Sequence, residues 1–207
     1  MYQAIAKAGH ICYASEKEGD EEVFVQRCIK MGHMRPLEFG TVYLNLPMDF
    51  TDIQFYFNDP YTKVLDCFPY YYVTTNYRVL VEHGHLDDLK YWSEPTEYHY
   101  KRHTILWEHI ARDIADEFRT HTGLSSLMQS TRYCAYNKDK FGNQLTFIKP
   151  SWVSHCDYYA MKEDEREIFR AFENAENHYI RLMNKWGWSA EKARKVIPLG
   201  LATTYIQ

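Results

Sequence analysis

The sequence predicts one α/β (α+β) domain over residues 1–207, in which helices pack on a mixed or antiparallel sheet. The segment TVYLNL, residues 41–46, alternates apolar and polar side chains with the two-residue period of a half-buried strand. Residues 163–186 instead repeat apolar side chains at the spacing of an amphipathic helix. The chain has 207 residues, of which 45% are hydrophobic, and no repeat or low-complexity linker interrupts it. This is enough apolar material for one large core.

The N-terminal part of the chain predicts two helices before that strand. Residues 2–13 carry apolar side chains along one stripe of a helix. A second helix begins after Asp20, a residue type that caps helix N-termini, and ends at Gly32. The turn HMRPLE then leads into the strand at residues 41–46.

The rest of the chain predicts three more strands and four more helices. The strands are FPYYYVT, RHTILW and LTFI, and Pro150 ends the last of them. The helices are TNYRVLVEHG, a segment from Asp113 into the polar residues that follow it, residues 163–186, and a short helix from Ser189 through Ala193. The acidic run EDERE at the start of the long helix suits the positive end of the helix dipole. The segment VIPLGLAT leads out of the last helix without a predicted element.

Charge and cysteine usage exclude several classes of protein. The formal net charge of −4 argues against a general nucleic-acid-binding protein, because such a protein needs a strongly basic face. The N-terminal residues lack the apolar region of a signal peptide, and no apolar run approaches the length of a membrane span. The five cysteines are odd in number and form no CxxC pair, so reduced thiols in a cytoplasmic protein are expected.

The histidines and glycines form no clear metal or nucleotide motif. His99 and His103 lie four residues apart without a surrounding cluster of His, Cys and carboxylates, and HGH is equally isolated, so no metal site is predicted. The chain contains neither GxGxxG nor GxxxxGK[ST], so side chains would have to hold any dinucleotide. Ser130 or Cys134 could form a nucleophile–base pair with His121. Nothing in the sequence brings a base within reach of either, and a generic hydrolase is not favoured.

The segment DEFRTHTGLSSLMQSTRYCAYNKDKFGNQLTFIKP, residues 116–150, carries the densest group of candidate binding side chains. Hydroxyls, a histidine and an arginine crowd the span from His121 to Tyr133. Because buried polar groups need hydrogen-bond partners, a core helix seldom carries so many. Arginine presents a fixed fork to phosphate or carbonyl oxygens, and hydroxyls and backbone N–H groups complete such a site. The segment therefore indicates a site for a phosphorylated, planar ligand, with a polar helix-to-loop corner as the alternative.

Three separated stretches together resemble the flavin-dependent thymidylate synthases. GHMRPLEFGTVYL, residues 32–44, is similar to the family's GHxSPLEH segment and the strand that follows it. THTGLSSLMQSTRY, residues 120–133, stands in the place of the signature RHRxxSxxxxSxRY. ARKVIPLGLAT, residues 193–203, is similar to the family's ARxVLP segment. Their order and spacing agree along nearly the whole chain, which implies the fold of this family.

The resemblance implies an enzyme that makes dTMP from dUMP with FAD, using NADPH and methylenetetrahydrofolate as co-substrates. It assigns Ser130 and Arg132 to catalysis on the uracil nucleotide. The residues that it assigns to substrate binding are Glu117, Gln129, Ser130, Arg132 and Arg194, and those that it assigns to the flavin are His33, Arg35, Glu38, His121 and Ser125. Family members are homotetramers with sites shared between subunits, so a homotetramer is expected, without a nucleic-acid or membrane partner.

The departures from the family pattern fall on the predicted flavin site. Thr120 and Thr122 replace the two Arg that flank the signature histidine, and Phe39 replaces the second His of GHxSPLEH. Charge-assisted bonds from Arg are the strong contacts to a diphosphate, so FAD is expected to bind less tightly than in relatives with the full signature. Arg35 stands where the family has Ser or Thr and is the candidate replacement cation. The simpler alternative is that Arg35 caps a turn or extends into solvent.

Two classes of function are therefore compared. In the first, the chain is a flavin-dependent thymidylate synthase. In the second, it keeps the fold and pyrimidine nucleotide binding but lacks flavin chemistry, as a binding or assembly protein or as an enzyme that modifies a pyrimidine nucleotide by another route. The retained motif residues favour the first class, and the threonines at 120 and 122 favour the second. The first class is preferred, and the yellow colour of a bound flavin would distinguish them.

Overall fold

The computed structural model describes residues 1–15, 19–121, 123–155 and 157–207. In these ranges the strands form two three-stranded antiparallel sheets. The first sheet has the order β1–β3–β2 and consists of β1 (Thr41–Pro47), β2 (Lys63–Cys67) and β3 (Tyr70–Asn76). The second has the order β4–β6–β5 and consists of β4 (Leu106–Ala111), β5 (Leu127–Met128) and β6 (Ala202–Ile206). The predicted mixed α/β class with antiparallel strands is confirmed.

Helices precede, connect and follow the strands. The α-helices are α1 (Tyr2–Tyr13), α2 (Glu21–Lys30), α3 (Ile53–Asn58), α4 (Tyr77–His83), α5 (Arg112–Phe118), α6 (Glu163–Asn184) and α7 (Ala190–Ala193). Short 3-10 helices span Arg35–Phe39, Leu86–Tyr91, Asp139–Phe141, Tyr158–Ala160 and Arg194–Val196.

Helix α1 packs against both sheets. Ile5 lies in a core that also contains Val42 of β1, whereas Ala8 lies in a second core with Leu127 of β5 and Ile206 of β6. All five of these residues are buried. Because one helix contributes to both cores, α1 fixes the loops at the ends of the two sheets relative to each other.

Several elements were predicted correctly from local sequence. The Asp20 side chain accepts a hydrogen bond from the Glu22 amide at 2.7 Å and caps α2. Strand β1 alternates as expected, with Val42 buried and Tyr43 half-buried. Gly84 ends α4 in the left-handed conformation, at φ 76°, which glycine adopts without strain.

The helix predicted from Asp113 into the polar segment is wrong beyond Phe118. The structure ends α5 there and continues in turns to β5. Both the amide and the hydroxyl of Thr120 donate to the Glu117 carbonyl, at 3.0 and 2.7 Å, and so satisfy the helix end. The positive φ of Gly123, 83°, then turns the chain away from the helix direction.

Two predicted strands are also corrected. RHTILW contains only the start of a strand, because β4 runs from Leu106 to Ala111. LTFI forms no strand, and only an isolated bridge joins Phe147 to Leu201. In contrast, the C-terminal segment that carried no predicted element ends in β6, the central strand of the second sheet. Helix α3 and strand β2 had no counterpart in the sequence prediction.

A bulge interrupts the pairing of β4 with β6. The register shifts between Trp107 and Ile110, and His109 adopts a positive φ of 53° in the extra segment. This distortion lies directly before α5, so it helps to set the direction in which α5 leaves the sheet.

The described part of the chain contains no helix that is long and apolar enough to cross a membrane. Nor does that part contain a group of three or more His, Cys, Asp or Glu side chains placed to hold a metal ion.

Candidate functional site

An open cleft of about 430 Å³ lies where α4, α5 and the first 3-10 helix meet, and we name it the arginine cleft. Its lining residues are Arg35, Glu38, Tyr61, Arg78, Arg119, His121, Gly123, Leu124, Ser125 and Ser126. Arg35, Glu38, His121 and Ser125 are four of the residues predicted to bind the cofactor, and they come from segments 83 or more positions apart in the chain. The fold therefore joins the GHMRPLE and THTGLSS segments in one place.

Secondary structure positions each cation of the cleft. Arg35 is the first residue of a 3-10 helix and Pro36 is the second. The fixed φ of proline suits the first turn of a helix. Arg78 lies in the first turn of α4, whose N-terminus is capped by the Asn76 side chain through the Val79 amide at 3.1 Å. Arg119 follows the last residue of α5, and its amide still donates to the Ala115 carbonyl at 3.2 Å.

The three arginines differ in their present partners. Arg78 donates from Nη1 to Glu38 Oε1 at 2.5 Å and from Nε to Glu82 Oε1 at 2.9 Å. Arg119 Nη1 lies 3.0 Å from Asp116 Oδ1 in a half-exposed pair of the same helix end. Arg35 makes no ion pair with any described residue. Counting side chains that line the cleft, three cations face one carboxylate, which makes the cleft attractive to anions.

His33, the fifth residue predicted for the cofactor, does not line the arginine cleft. A hydrogen bond of 2.5 Å joins its Nδ1 to Tyr13 Oη instead. The ring of His33 lies 6.1 Å from that of Tyr13 and 6.2 Å from that of Tyr133. His33 is thus part of an aromatic cluster beside the signature segment.

Residues 130–133, which we name the STRY turn, are held by the Ser130 hydroxyl. Its Oγ accepts from the amides of Arg132 and Tyr133, at 3.2 and 3.4 Å. The Ser130 amide donates to the Cys12 carbonyl of α1 at 2.8 Å. Ser130 therefore shapes the turn that carries Arg132 and fastens it to α1.

Arg132 extends from this turn to α7. Its Nε lies 2.9 Å from Glu191 Oε1, and both side chains are about half exposed, at 51% and 52%. The guanidinium carbon also lies 5.5 Å from the centre of the Tyr133 ring. Since one nitrogen is paired with Glu191 and no other described side chain forms an ion pair or hydrogen bond with the guanidinium, the remaining N–H groups of the fork can meet a ligand.

Gln129 and Arg194 lie around Arg112, a residue that no motif indicated. Arg112 Nη1 donates to the Gln129 carbonyl at 3.4 Å. Burial is the main effect on the Arg112 guanidinium, and it lowers the pKa of this group. The carboxylate of Asp116 raises the pKa, whereas the positive charges of Arg119 and Arg194 lower it further. Arg112 is therefore within electrostatic reach of a cation of the arginine cleft and of a predicted substrate residue.

The remaining predicted residues are less closely associated with these groups. Glu117 is exposed on α5, and its carbonyl rather than its carboxylate is engaged, by Thr120. Thr120 does not line the arginine cleft. Thr122, predicted to replace a flavin-binding Arg, lies outside the described residues.

Sequence reasoning missed Arg78 and Arg119 as candidate site residues. Neither belongs to a family motif, so only the packing of α4 and α5 beside the cleft reveals them. The one available signal was the position of Arg119 directly before Thr120.

Cys134, which follows the STRY turn, is expected to make the protein less stable in alkali. It is fully buried, and burial raises the pKa of its thiol to about 11. Because the unfolded thiol ionises first, its stabilising contribution is complete below about pH 9 and is lost as the pH rises through about 11. Urea unfolding of the Cys134→Ala variant should therefore show a weaker loss of stability between these pH values than the wild type.

A variant without a titrating group provides the control for this experiment. Val153 is also buried, and Val153→Ala should lower the free energy of unfolding by the same amount at every pH. Equal alkaline slopes for the wild type and Cys134→Ala would contradict the prediction.

One comparison with known proteins identifies a family. A family model described as thymidylate synthase complementing protein matches residues 71–207. The matched part extends from β3 to β6 and includes the STRY turn, His121 and Arg194. A search of the curated proteins gave no match to the chain.

Proposed function

The chain belongs to the thymidylate synthase complementing protein family, the flavin-dependent thymidylate synthases, and on this premise we propose that it converts dUMP to dTMP. FAD would be its cofactor, with NADPH and methylenetetrahydrofolate as co-substrates. The family predicted from the three sequence stretches is confirmed. The observation that carries the finer proposal is the meeting of Arg35, Glu38, His121 and Ser125 in one cleft with excess positive charge.

The chemistry of the arginine cleft fits a flavin nucleotide. A diphosphate carries two negative charges, and the guanidinium groups and serine hydroxyls of the cleft are donors suited to it. Tyr61 and Leu124 are largely exposed and offer apolar surface to a ring system. When bound, FAD would supply the redox chemistry that the side chains of this chain lack. The residues of the cleft would hold and orient it.

The STRY turn supports binding of the nucleotide substrate. Arg132 would meet the uracil nucleotide with the donors that Glu191 leaves free, and Ser130 would fix the conformation from which Arg132 acts. Arg194 and Gln129 would complete this side of the site, around Arg112. Glu117 would contribute to substrate binding through its exposed carboxylate. His33 would contribute from the aromatic cluster beside the STRY turn, where its ring lies next to that of Tyr133.

We also propose that the protein is a homotetramer. Trp186 and Trp188, which follow α6, are exposed, and aromatic side chains are enriched in subunit interfaces. Light scattering at micromolar concentration should give four times the mass of one chain. A mass equal to one chain would refute the tetramer and remove the basis for sites shared between subunits.

Release of tritium from dUMP labelled at C5 tests the proposed reaction. With FAD, NADPH and methylenetetrahydrofolate present, the purified protein should release tritium and form dTMP, and it should be yellow. The same mixture without methylenetetrahydrofolate is the control for dTMP formation. If dUMP binds but no flavin binds and no dTMP forms, the class without flavin chemistry is the correct one.

A further inference from the structure

The arginine cleft concentrates like charges without enough carboxylates to neutralise them. Arg35, Arg78 and Arg119 come from three different elements, and Glu38 is the acidic residue among the side chains that line the cleft. Like charges that share a cleft repel one another, so the arrangement is stabilised when an anion binds between them.

Two of these arginines are available to such an anion. Arg78 already has two carboxylate partners, Glu38 and Glu82. Arg119 has one partner, Asp116, in a pair whose side chains are 42% and 40% exposed. Ion pairs this exposed contribute little to stability, so replacing Asp116 by a ligand anion costs little. Arg35 pairs with no carboxylate in the described part of the chain.

Thr120, the residue after Arg119, cannot supply a positive charge to an anion in the cleft. The Thr120 hydroxyl donates to the Glu117 carbonyl at 2.7 Å, which commits the side chain to the end of α5. It carries no charge. The signature that residues 120–133 resemble has Arg in its place. Arg119, one residue earlier, lines the cleft instead. A cation at the end of α5 therefore lines the cleft one position before the uncharged Thr120.

We infer that Arg119 acts with Arg35 as the diphosphate-binding pair of this cleft, replacing the charge missing at Thr120. The inference rests on the proposed function for the identity of the ligand, a flavin nucleotide. The hydroxyls of Ser125 and Ser126 are half-buried, line the same cleft and make no hydrogen bond to another described residue, so they complete the donors around the diphosphate.

A double variant that places the arginine at residue 120 instead of residue 119 tests this inference. FAD affinity is measured by flavin fluorescence titration for the wild type, for Arg119→Gln, and for the double variant Arg119→Thr, Thr120→Arg. Loss of one charge-assisted contact should raise the FAD dissociation constant of Arg119→Gln about 10- to 100-fold. The double variant should return to within about three-fold of the wild type, because a long Arg side chain can reach the same anion from either position.

The matched control is Arg181→Gln, which removes an exposed Arg from the last turn of α6, an element that contributes no residue to the cleft. It should bind FAD as the wild type does. Equal affinities for Arg119→Gln and Arg181→Gln would overturn the inference. So would a double variant as weak as Arg119→Gln, since the charge at residue 120 would then be no replacement.

Inorganic pyrophosphate separates this inference from the proposed function. Pyrophosphate should raise the melting temperature of the wild type but not that of Arg119→Gln, whether or not FAD binds. This result without FAD binding would support the diphosphate site and refute the flavin enzyme. Failure of both FAD and pyrophosphate to bind the wild type would refute the diphosphate site itself.

Discussion

Replacing Arg132 with alanine should weaken dUMP binding about ten-fold or more and reduce tritium release from dUMP. Arg132 is the charged residue of the STRY turn, and a hydrogen bond to a charged group is the kind whose loss costs about that factor. Among the described residues only Glu191 pairs with its guanidinium, through Nε at 2.9 Å, so the other N–H groups can reach a phosphate or a uracil oxygen. Calorimetric titration with dUMP measures the affinity directly.

Glu191→Gln is the control that separates the guanidinium from its ion pair. This variant breaks the same pair but keeps Arg132, and the pair is half-exposed on both sides, so folding stability should change little. Its dUMP affinity should equal or exceed that of the wild type, because a competing carboxylate is removed. Equal dUMP affinity in Arg132→Ala and the wild type would refute the assignment. A loss in Glu191→Gln as large as that in Arg132→Ala would show that the ion pair matters instead.

The elements predicted correctly are those that are determined by residues close to one another in the chain. The cap at Asp20 acts two residues away, and the alternation of β1 reflects one sheet face. Strand β6 is the central strand of its sheet, but its partners, such as β4, lie far away in the chain. Its own residues, ATTYI, show no turn signal or two-residue alternation from which a strand could be predicted. Strand β5 has only two residues and exists because β6 lies beside it.

The residues of the candidate site form two similar groups: those that short sequence motifs indicate and those that only tertiary packing brings to the site. Arg35, Glu38, His121 and Ser125 belong to family motifs, so their association could be predicted from sequence, although their roles stay predictions. Arg78 and Arg119 belong to no motif, and their place in the cleft depends on how α4 and α5 pack. The polar segment was predicted to continue the helix that begins at Asp113. In the structure its side chains instead satisfy the end of α5 and the STRY turn.

Replacing Arg78 with methionine should raise the FAD dissociation constant about 10- to 100-fold, an effect of the same order as losing a charge-assisted contact. Arg78 holds the Glu38 carboxylate, whose side chain is only 20% exposed, at 2.5 Å. Without this partner Glu38 becomes an unpaired negative charge in the cleft that would receive a diphosphate. Methionine keeps much of the apolar stem, so packing is largely preserved.

A second substitution distinguishes charge balance from direct contact. In the double variant Arg78→Met, Glu38→Gln the cleft regains the net charge of the wild type, although Arg78 is absent. If Arg78 acts by neutralising Glu38, this variant should recover most of the FAD affinity in a fluorescence titration. Glu82→Gln removes only the exposed partner on the same helix and should bind FAD as the wild type does. A double variant that binds as weakly as Arg78→Met would show that Arg78 contacts the cofactor itself, and the diphosphate would then be held by three arginines rather than two.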